Sequence, residues 1–388
     1  RHAKVLADLA MREVTTALST NNFNPGTENI QYGEYNASIT TSLLTTPNFS
    51  DVYRITTEIN YAENENDYKK TFNYYIYRPS MQQYAYFSNI EPSNIIWTTG
   101  SKITGAFYVN SNLNIAGSPE FLGKVEYNGK IVRYQENIYG YNPKFHGGHG
   151  FNQIPMPVAQ NMTEFANLAG KDGKLFNNVD KVYLKFEGDN IRFKYAENDA
   201  WSAPQLGKTF APNGCIVVNN GALYVEGTVK GQYSIGALGT SQFDSTDNKF
   251  NAGVVPRGNV FINGSIKYGD QPDFNNAYSP EKHGLGIISQ NNVLIKNVAA
   301  NHGKDVDIQG MIYCQKGGFG VENYKSFPVS GKIKLRGGIT QNVRRAVGTF
   351  SNNNDGSIKQ VSGFDKDYLY DQRMANNLQL PFFPLSQR

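Results

Sequence analysis

Gly221-Ala222-Leu223-Tyr224-Val225-Glu226-Gly227-Thr228-Val229 returns as Gly258-Asn259-Val260-Phe261-Ile262-Asn263-Gly264-Ser265-Ile266 and as Gly331-Lys332-Ile333-Lys334-Leu335-Arg336-Gly337-Gly338-Ile339. Lys304-Asp305-Val306-Asp307-Ile308-Gln309-Gly310-Met311-Ile312 keeps the apolar positions and the second glycine. Asn291-Asn292-Val293-Leu294-Ile295-Lys296-Asn297 and Ser111-Asn112-Leu113-Asn114-Ile115-Ala116-Gly117 keep a seven-residue core. Apolar residues at every second position send one side of a strand inward, and Gly or Asn at the ends suits sharp corners. One such strand cannot bury its face alone, whereas repeated strands bury it by stacking coil on coil. The chain therefore reads as all-β, a β-solenoid of the right-handed β-helix type with hairpin insertions and an N-terminal α-helix. The copies at 291 and 304 are too close to start successive coils and fit two faces of a single coil, with 240–257 and 268–283 as loops. A β-sandwich of similar short strands is the alternative.

Composition agrees with strands and turns: among 388 residues there are 25 Tyr, 23 Phe and 38 Gly, against 6 Met. The net charge of +4, with basic and acidic residues interspersed, makes no basic stripe for nucleic acid. No apolar run reaches the length of a bilayer span. Cys215 and Cys314 are too far apart in sequence for a redox or zinc motif and read as two buried free thiols.

Four regions follow: an N-terminal helix over 1–22, a β-rich region over 23–98, the solenoid body over 99–350, and a C-terminal cap or tail over 351–388. In the first, Leu6, Ala10, Val14 and Ala17 fall near helical spacing; this helix reads either as the stub of a longer anchor or as an amphipathic helix docked on a sheet. Asn128-Gly129 predicts a two-residue hairpin turn within 124–132, and 182–186 with 191–195 predicts another hairpin. Asp365 to Asp371 reads as a short helix, and Pro381-Phe382-Phe383-Pro384 as a tail lying over the body.

Three segments carry a family resemblance: Gly105 to Phe121 with its Gly117-Ser118-Pro119-Glu120-Phe121; Phe145-His146-Gly147-Gly148-His149-Gly150 followed by Pro155 and Pro157; and Tyr370-Asp371-Gln372-Arg373 followed by the Pro381–Pro384 run. Together they resemble bacterial envelope proteins of uncharacterised function with a prepilin-like N-terminal helix, sometimes grouped with pilus-assembly-type proteins. The resemblance implies an extracytoplasmic domain tethered by a helix upstream of Arg1, with other envelope or pilus-like proteins, or further copies of itself, as partners. It implies no reaction and no cofactor.

Few residues invite chemistry. His146 and His149 sit three apart in a glycine-rich loop, but structural zinc wants four protein ligands and catalytic zinc three. Asp305 and Asp307 alternate on one repeat, as paired carboxylates for acid/base work on a polysaccharide would, or as a solvated outer face. Tyr74, Tyr75, Tyr77, Tyr84 and Tyr86 offer apolar area with a polar tip for stacking on a glycan or a partner protein, or half-buried strand residues. The readings are a non-catalytic envelope or surface protein, a polysaccharide-active enzyme, and a glycan-binding adhesin.

Overall fold

Tyr53-Arg54-Ile55-Thr56-Thr57-Glu58-Ile59 alternates, and it lies within a strand, Val52–Glu63, that buries Ile55, Thr57 and Ile59. The structure, a computed structural model, describes residues 4, 5, 7, 8, 11, 12, 26–32, 35–44, 52–63, 66–77, 81–154, 162–352, 357–376, 378 and 380–383. It is mostly β, and the described residues divide into two compact units, one up to residue 77 and one from Met81 to Phe383. Residues 81–98 thus belong with the second unit.

In the first unit, Gly26–Tyr32, Tyr35–Leu44, Val52–Glu63 and Asn66–Tyr77 form an antiparallel meander in that order. The predicted N-terminal helix falls mostly outside the described residues. Those described there, Lys4, Val5, Ala7, Asp8, Met11 and Arg12, have helical backbone. Ala7 is fully buried with Ala37 and Ile59, and Tyr74 Oη donates to Asp8 Oδ1 at 3.2 Å, so this segment docks on the sheet. No described helix is long and apolar enough to cross a membrane.

The second unit holds a mixed sheet of 21 strands among the described residues. Its parallel pairings arrange themselves in three ranks. The first runs Lys174–Asn177, Cys215–Asn219, Gln232–Leu238, Gly284–Ser289, the end of Val306–Cys314, the end of Lys332–Val343, Tyr86–Ile90, Phe107–Val109, Val125–Tyr127 and His149–Phe151, every neighbour parallel. The second contains the ends of Lys181–Gly188, Ala222–Val229 and Val260–Tyr268, the beginnings of Val306–Cys314 and Lys332–Val343, then Asp365–Leu369, Lys102–Ile103, Glu120–Phe121 and Lys144–Phe145. The third stacks the starts of Lys181–Gly188, Ala222–Val229 and Val260–Tyr268 with Val293–Ile295 and Phe319–Val321.

Sequence repeats become register. Leu223, Val260 and Val293, equivalent in the repeat, are Cα partners in turn. Val306 pairs with Ile333, Ile308 with Leu335 and Gly310 with Gly337. The second glycine marks where a strand passes between ranks. A Cβ on Gly337 would lie 1.9 Å from the Gly310 carbonyl oxygen, and one on Gly227, whose φ is +110°, would lie 2.1 Å from that of Phe186.

In the first rank, Ile216, Ile235, Ile287, Ile312 and Ile339 form one buried column that continues as Tyr86, Phe107 and Val125. Stacked rings repeat near the strand spacing of about 4.7–4.9 Å: Tyr183 lies 4.4 Å from Tyr224, Tyr224 4.7 Å from Phe261, and Tyr86 4.7 Å from Phe107. An asparagine column runs along one corner. Asn89 donates to Asn342, Asn110 to Asn89 and Asn128 to Asn110, each at 2.9 Å through Nδ2 and Oδ1.

Two local predictions are corrected. The Asn128-Gly129 pair makes no hairpin: Val125–Tyr127 and Ile131–Arg133 pair in parallel with different strands, the latter with Leu113–Ile115. Asn128 is tied into the asparagine column, and a Cβ on Gly129 would fall 2.5 Å from Asn112 Oδ1, so the pair turns a tight corner between stacked strands. Asp365–Leu369 is a strand, not a helix, because it pairs with Lys332 to Arg336; the helix comes later, at Arg373–Asn376. The 182–195 hairpin is present, with Leu184 opposite Phe193. Pro155, Pro157 and Pro384 lie outside the described residues. Leu378, Leu380, Phe382 and Phe383 are buried, with Phe382 stacked on Phe165 of the helix Met162–Asp172 at 4.8 Å. A Cβ on Gly284 would strike Leu378 and Leu380, and one on Gly286 would meet Phe383, so these first-rank glycines make room for the tail. Cys215 and Cys314 are free and buried, and burial pushes both thiols up to about 12.

Candidate functional site

The five tyrosines do not form one platform. Tyr74, Tyr75 and Tyr77 lie on the strand Asn66–Tyr77 of the first unit, where Tyr75 is 61% exposed and Tyr74 half-buried; the side chain of Tyr77 lies outside the described residues. Tyr84 and Tyr86 are in the second unit and buried, which corrects their assignment to an exposed stacking surface. Tyr86 occupies the inward column after Ile339, and Tyr84 packs edge-on against Phe87 at 5.1 Å.

His146 and His149 take separate partners. His146 Nε2 is 3.0 Å from Glu120 Oε1, while His149 Nδ1 is 3.2 Å from Tyr127 Oη and its ring sits 4.4 Å from Phe145. Among the described residues there is no group of three or more His, Cys, Asp or Glu side chains arranged to hold a metal ion.

Asp305 and Asp307 are each engaged by a lysine: Lys334 Nζ lies 2.6 Å from Asp305, and Lys267 Nζ 3.1 Å from Asp307. Asp305 also accepts the Lys332 backbone N–H at 2.8 Å. Its pKa is lowered, first by the Lys334 hydrogen bond and then by that N–H; a general acid needs the opposite shift. In the second rank the register runs Asp307, Lys334, Asp367, Lys102, Glu120, Lys144, one sign after the other. Opposite charges on adjacent strands favour that pairing over a slipped one.

A dense buried polar cluster lies where residues 339–344 meet residues 86–97. Glu91 is the hub. Tyr86 Oη donates to its Oε1 at 2.6 Å, and Trp97 Nε1 and Arg344 Nη1 donate to its Oε2 at 3.2 and 2.7 Å. The Arg344 guanidinium lies 3.9 Å from the centre of the Trp97 ring, and Gln341 Nε2 donates to Tyr86 Oη at 2.7 Å. Burial, followed by the charge of Glu91, pushes the Tyr86 hydroxyl well above its usual range.

Beside this cluster stands Lys366. Its register partner is Ile333, whose own partner is Val306, both buried, so the lysine takes an apolar position. Its Nζ is 5.7 Å from the Trp97 ring centre. Burial, and secondarily Arg344, lowers its pKa to about 7. Two adjoining clefts of about 220 Å³ each open here, both lined by Lys366 and by Val347 to Phe350. Sequence reasoning missed this site because Asp365-Lys366-Asp367 is charged throughout, and only the pairing with Ile333 shows which of the three turns inward.

No family model matches the chain, and no curated protein does. Among solved structures, the crystal structure of the competence-associated pilin ComZ from Thermus thermophilus is similar, with 11% identity over 92% of this chain and 83% of that one and a TM-score of 0.33. A likeness of that size carries no inference about what this chain does.

Proposed function

We propose that the chain is a non-catalytic structural component of a bacterial cell envelope, of the pilin-like or pilus-associated kind, whose second unit is a β-solenoid. The observation that carries this reading is the first rank, parallel at every step from Lys174–Asn177 to His149–Phe151. Successive passages visit the three ranks in turn: Gly284–Ser289, Val293–Ile295 and 306–308, then 311–314, Phe319–Val321 and 332–335. That order supports the winding of a coil, and the general preference of parallel connections favours a right-handed one. The asparagine column and the alternating charges are what stacked, in-register strands call for, and they place the polar groups of the repeats in structural pairs. The segment around Ala7, seated on the meander, suits a helix that continues into an anchor or a subunit contact.

Fractionation of the native host tests the reading. The chain is expected outside the cytoplasm, accessible to protease on intact cells and present with sheared surface filaments or in the envelope fraction. Recovery in the cytosol, protected from protease, overturns it.

A further inference from the structure

We infer that the cleft lined by Lys366 and Tyr139 binds an acidic monosaccharide, a sugar ring carrying a carboxylate, with Lys366 as the counter-ion and Tyr139 as the stacking ring. The inference does not rest on the envelope reading, since binding is measured on the purified chain wherever the cell places it.

Charge comes first. Glu91 is committed to Arg344 by an ion pair whose side chains are 0% and 4% exposed. Among the described residues no carboxylate comes within ion-pair distance of Lys366, or of Arg345, which lines the same cleft. Lys366 and Arg345, both half-buried, line a cleft beside Arg344, with Glu91 and Asp365 as the carboxylates nearby, three cations to two anions, and the two preceding residues of the Lys366 column, Val306 and Ile333, show that an apolar side chain fits the position. An exogenous carboxylate supplies the missing charge.

Shape and ring chemistry narrow the ligand. The cleft next to Arg344 is walled by Tyr134, Tyr139 and Phe350, all half-buried; Tyr134 and Tyr139 stack at 6.1 Å and Tyr139 meets Phe350 edge-on at 5.5 Å. Aromatic walls with a few placed polar groups suit a ligand that has both an apolar face and polar edges. A volume of about 220 Å³ is below the range of roughly 300–1,000 Å³ typical of drug-sized ligands, which points to a single sugar. The opening exists because the third rank has no strand after Phe319–Val321 at this level; the chain instead leaves as the hairpin Gly348–Asn352 with Ile358–Gly363.

Calorimetric titration of the full chain with glucuronate, glucose and inorganic phosphate tests the inference, with circular dichroism confirming that each variant is folded. Glucuronate is expected to bind saturably and at least tenfold more tightly than either glucose or phosphate. Lys366→Gln should lose at least tenfold for glucuronate, Lys366→Arg should retain most of the affinity, and Tyr139→Ala should weaken the sugars but not phosphate. Absence of saturable glucuronate binding overturns the inference, as does a folded Lys366→Gln that binds normally. Phosphate binding as tight as glucuronate also overturns it, reducing the site to a general anion contact. If Lys366→Gln does not fold, the glucuronate-to-glucose ratio of the natural chain and the Tyr139→Ala variant decide the matter alone.

Discussion

Gly337 and Glu91 show how single residues carry disproportionate weight. A side chain on Gly337 would overlap the carbonyl oxygen of Gly310, part of the backbone of the neighbouring strand, so the strand must move to accept it. Gly337→Ala is expected to destabilise by about 2 kcal/mol or more in denaturant unfolding. Gly264→Ala, whose Cβ would meet the flexible end of Glu226 at 3.2 Å and its Cβ at an ordinary contact distance of 3.5 Å, should change little. Glu91→Gln removes the buried partner of Arg344 and is expected to cost about 3–5 kcal/mol, measured the same way. Lys366 gives a pH signature with a definite sign. Its pKa is 10.5 ordinarily and about 7 in the fold, among Arg344, Glu91 and Asp365. Between those values the unfolded chain binds the extra proton, so the contribution of this group to stability rises with pH from about 7 towards 10.5 and its penalty is full below 7. Lys366→Met should flatten the rise in unfolding midpoint over that window, and an unchanged slope would show that the amine is not buried. Gly337 was visible in the sequence as a repeated glycine; Glu91 and Lys366 were not, because nothing local distinguishes a charge turned inward from a solvated one.

At the scale of elements, the repeats were legible because parallel stacking puts equivalent residues side by side, and pattern alone therefore aligned Leu223, Val260 and Val293. Turns were less legible. Asn-Gly suits both a two-residue hairpin and a corner, and at Asn128-Gly129 the asparagine column selects the corner. The Asp365–Leu369 strand was hidden because its apolar alternation is broken by Lys366, the same substitution that makes the candidate site. Asn110 both donates to Asn89 and accepts from Asn128. Asn110→Leu is expected to cost about 1–3 kcal/mol by leaving those groups unpaired. By contrast Asp305, whose ion pair with Lys334 is 38% exposed on both sides, should tolerate Asp305→Asn within about 1 kcal/mol, and a larger loss would mean that the charge column carries more of the register than exposed pairs usually do.

For the whole second unit, the order of strands in the first rank is not the order of the chain. Residues 174–343 supply one part of the rank, and residues 86–151, earlier in sequence, continue it beyond residue 343. No reading of spacing reveals this, since a repeat identifies which strands are equivalent but not which two become neighbours. The join brings together the aromatic end of the isoleucine column, the Glu91–Arg344 pair and the clefts beside Lys366, so the candidate site exists only because distant segments meet there. Asn89 and Asn342, 253 residues apart, hydrogen-bond across that join. Replacing both with cysteine and oxidising the folded protein tests it most directly. The parallel stack predicts a near-quantitative disulfide that closes the long loop and speeds migration on a non-reducing gel, whereas no cross-link, with the protein folded and both thiols free, would contradict it.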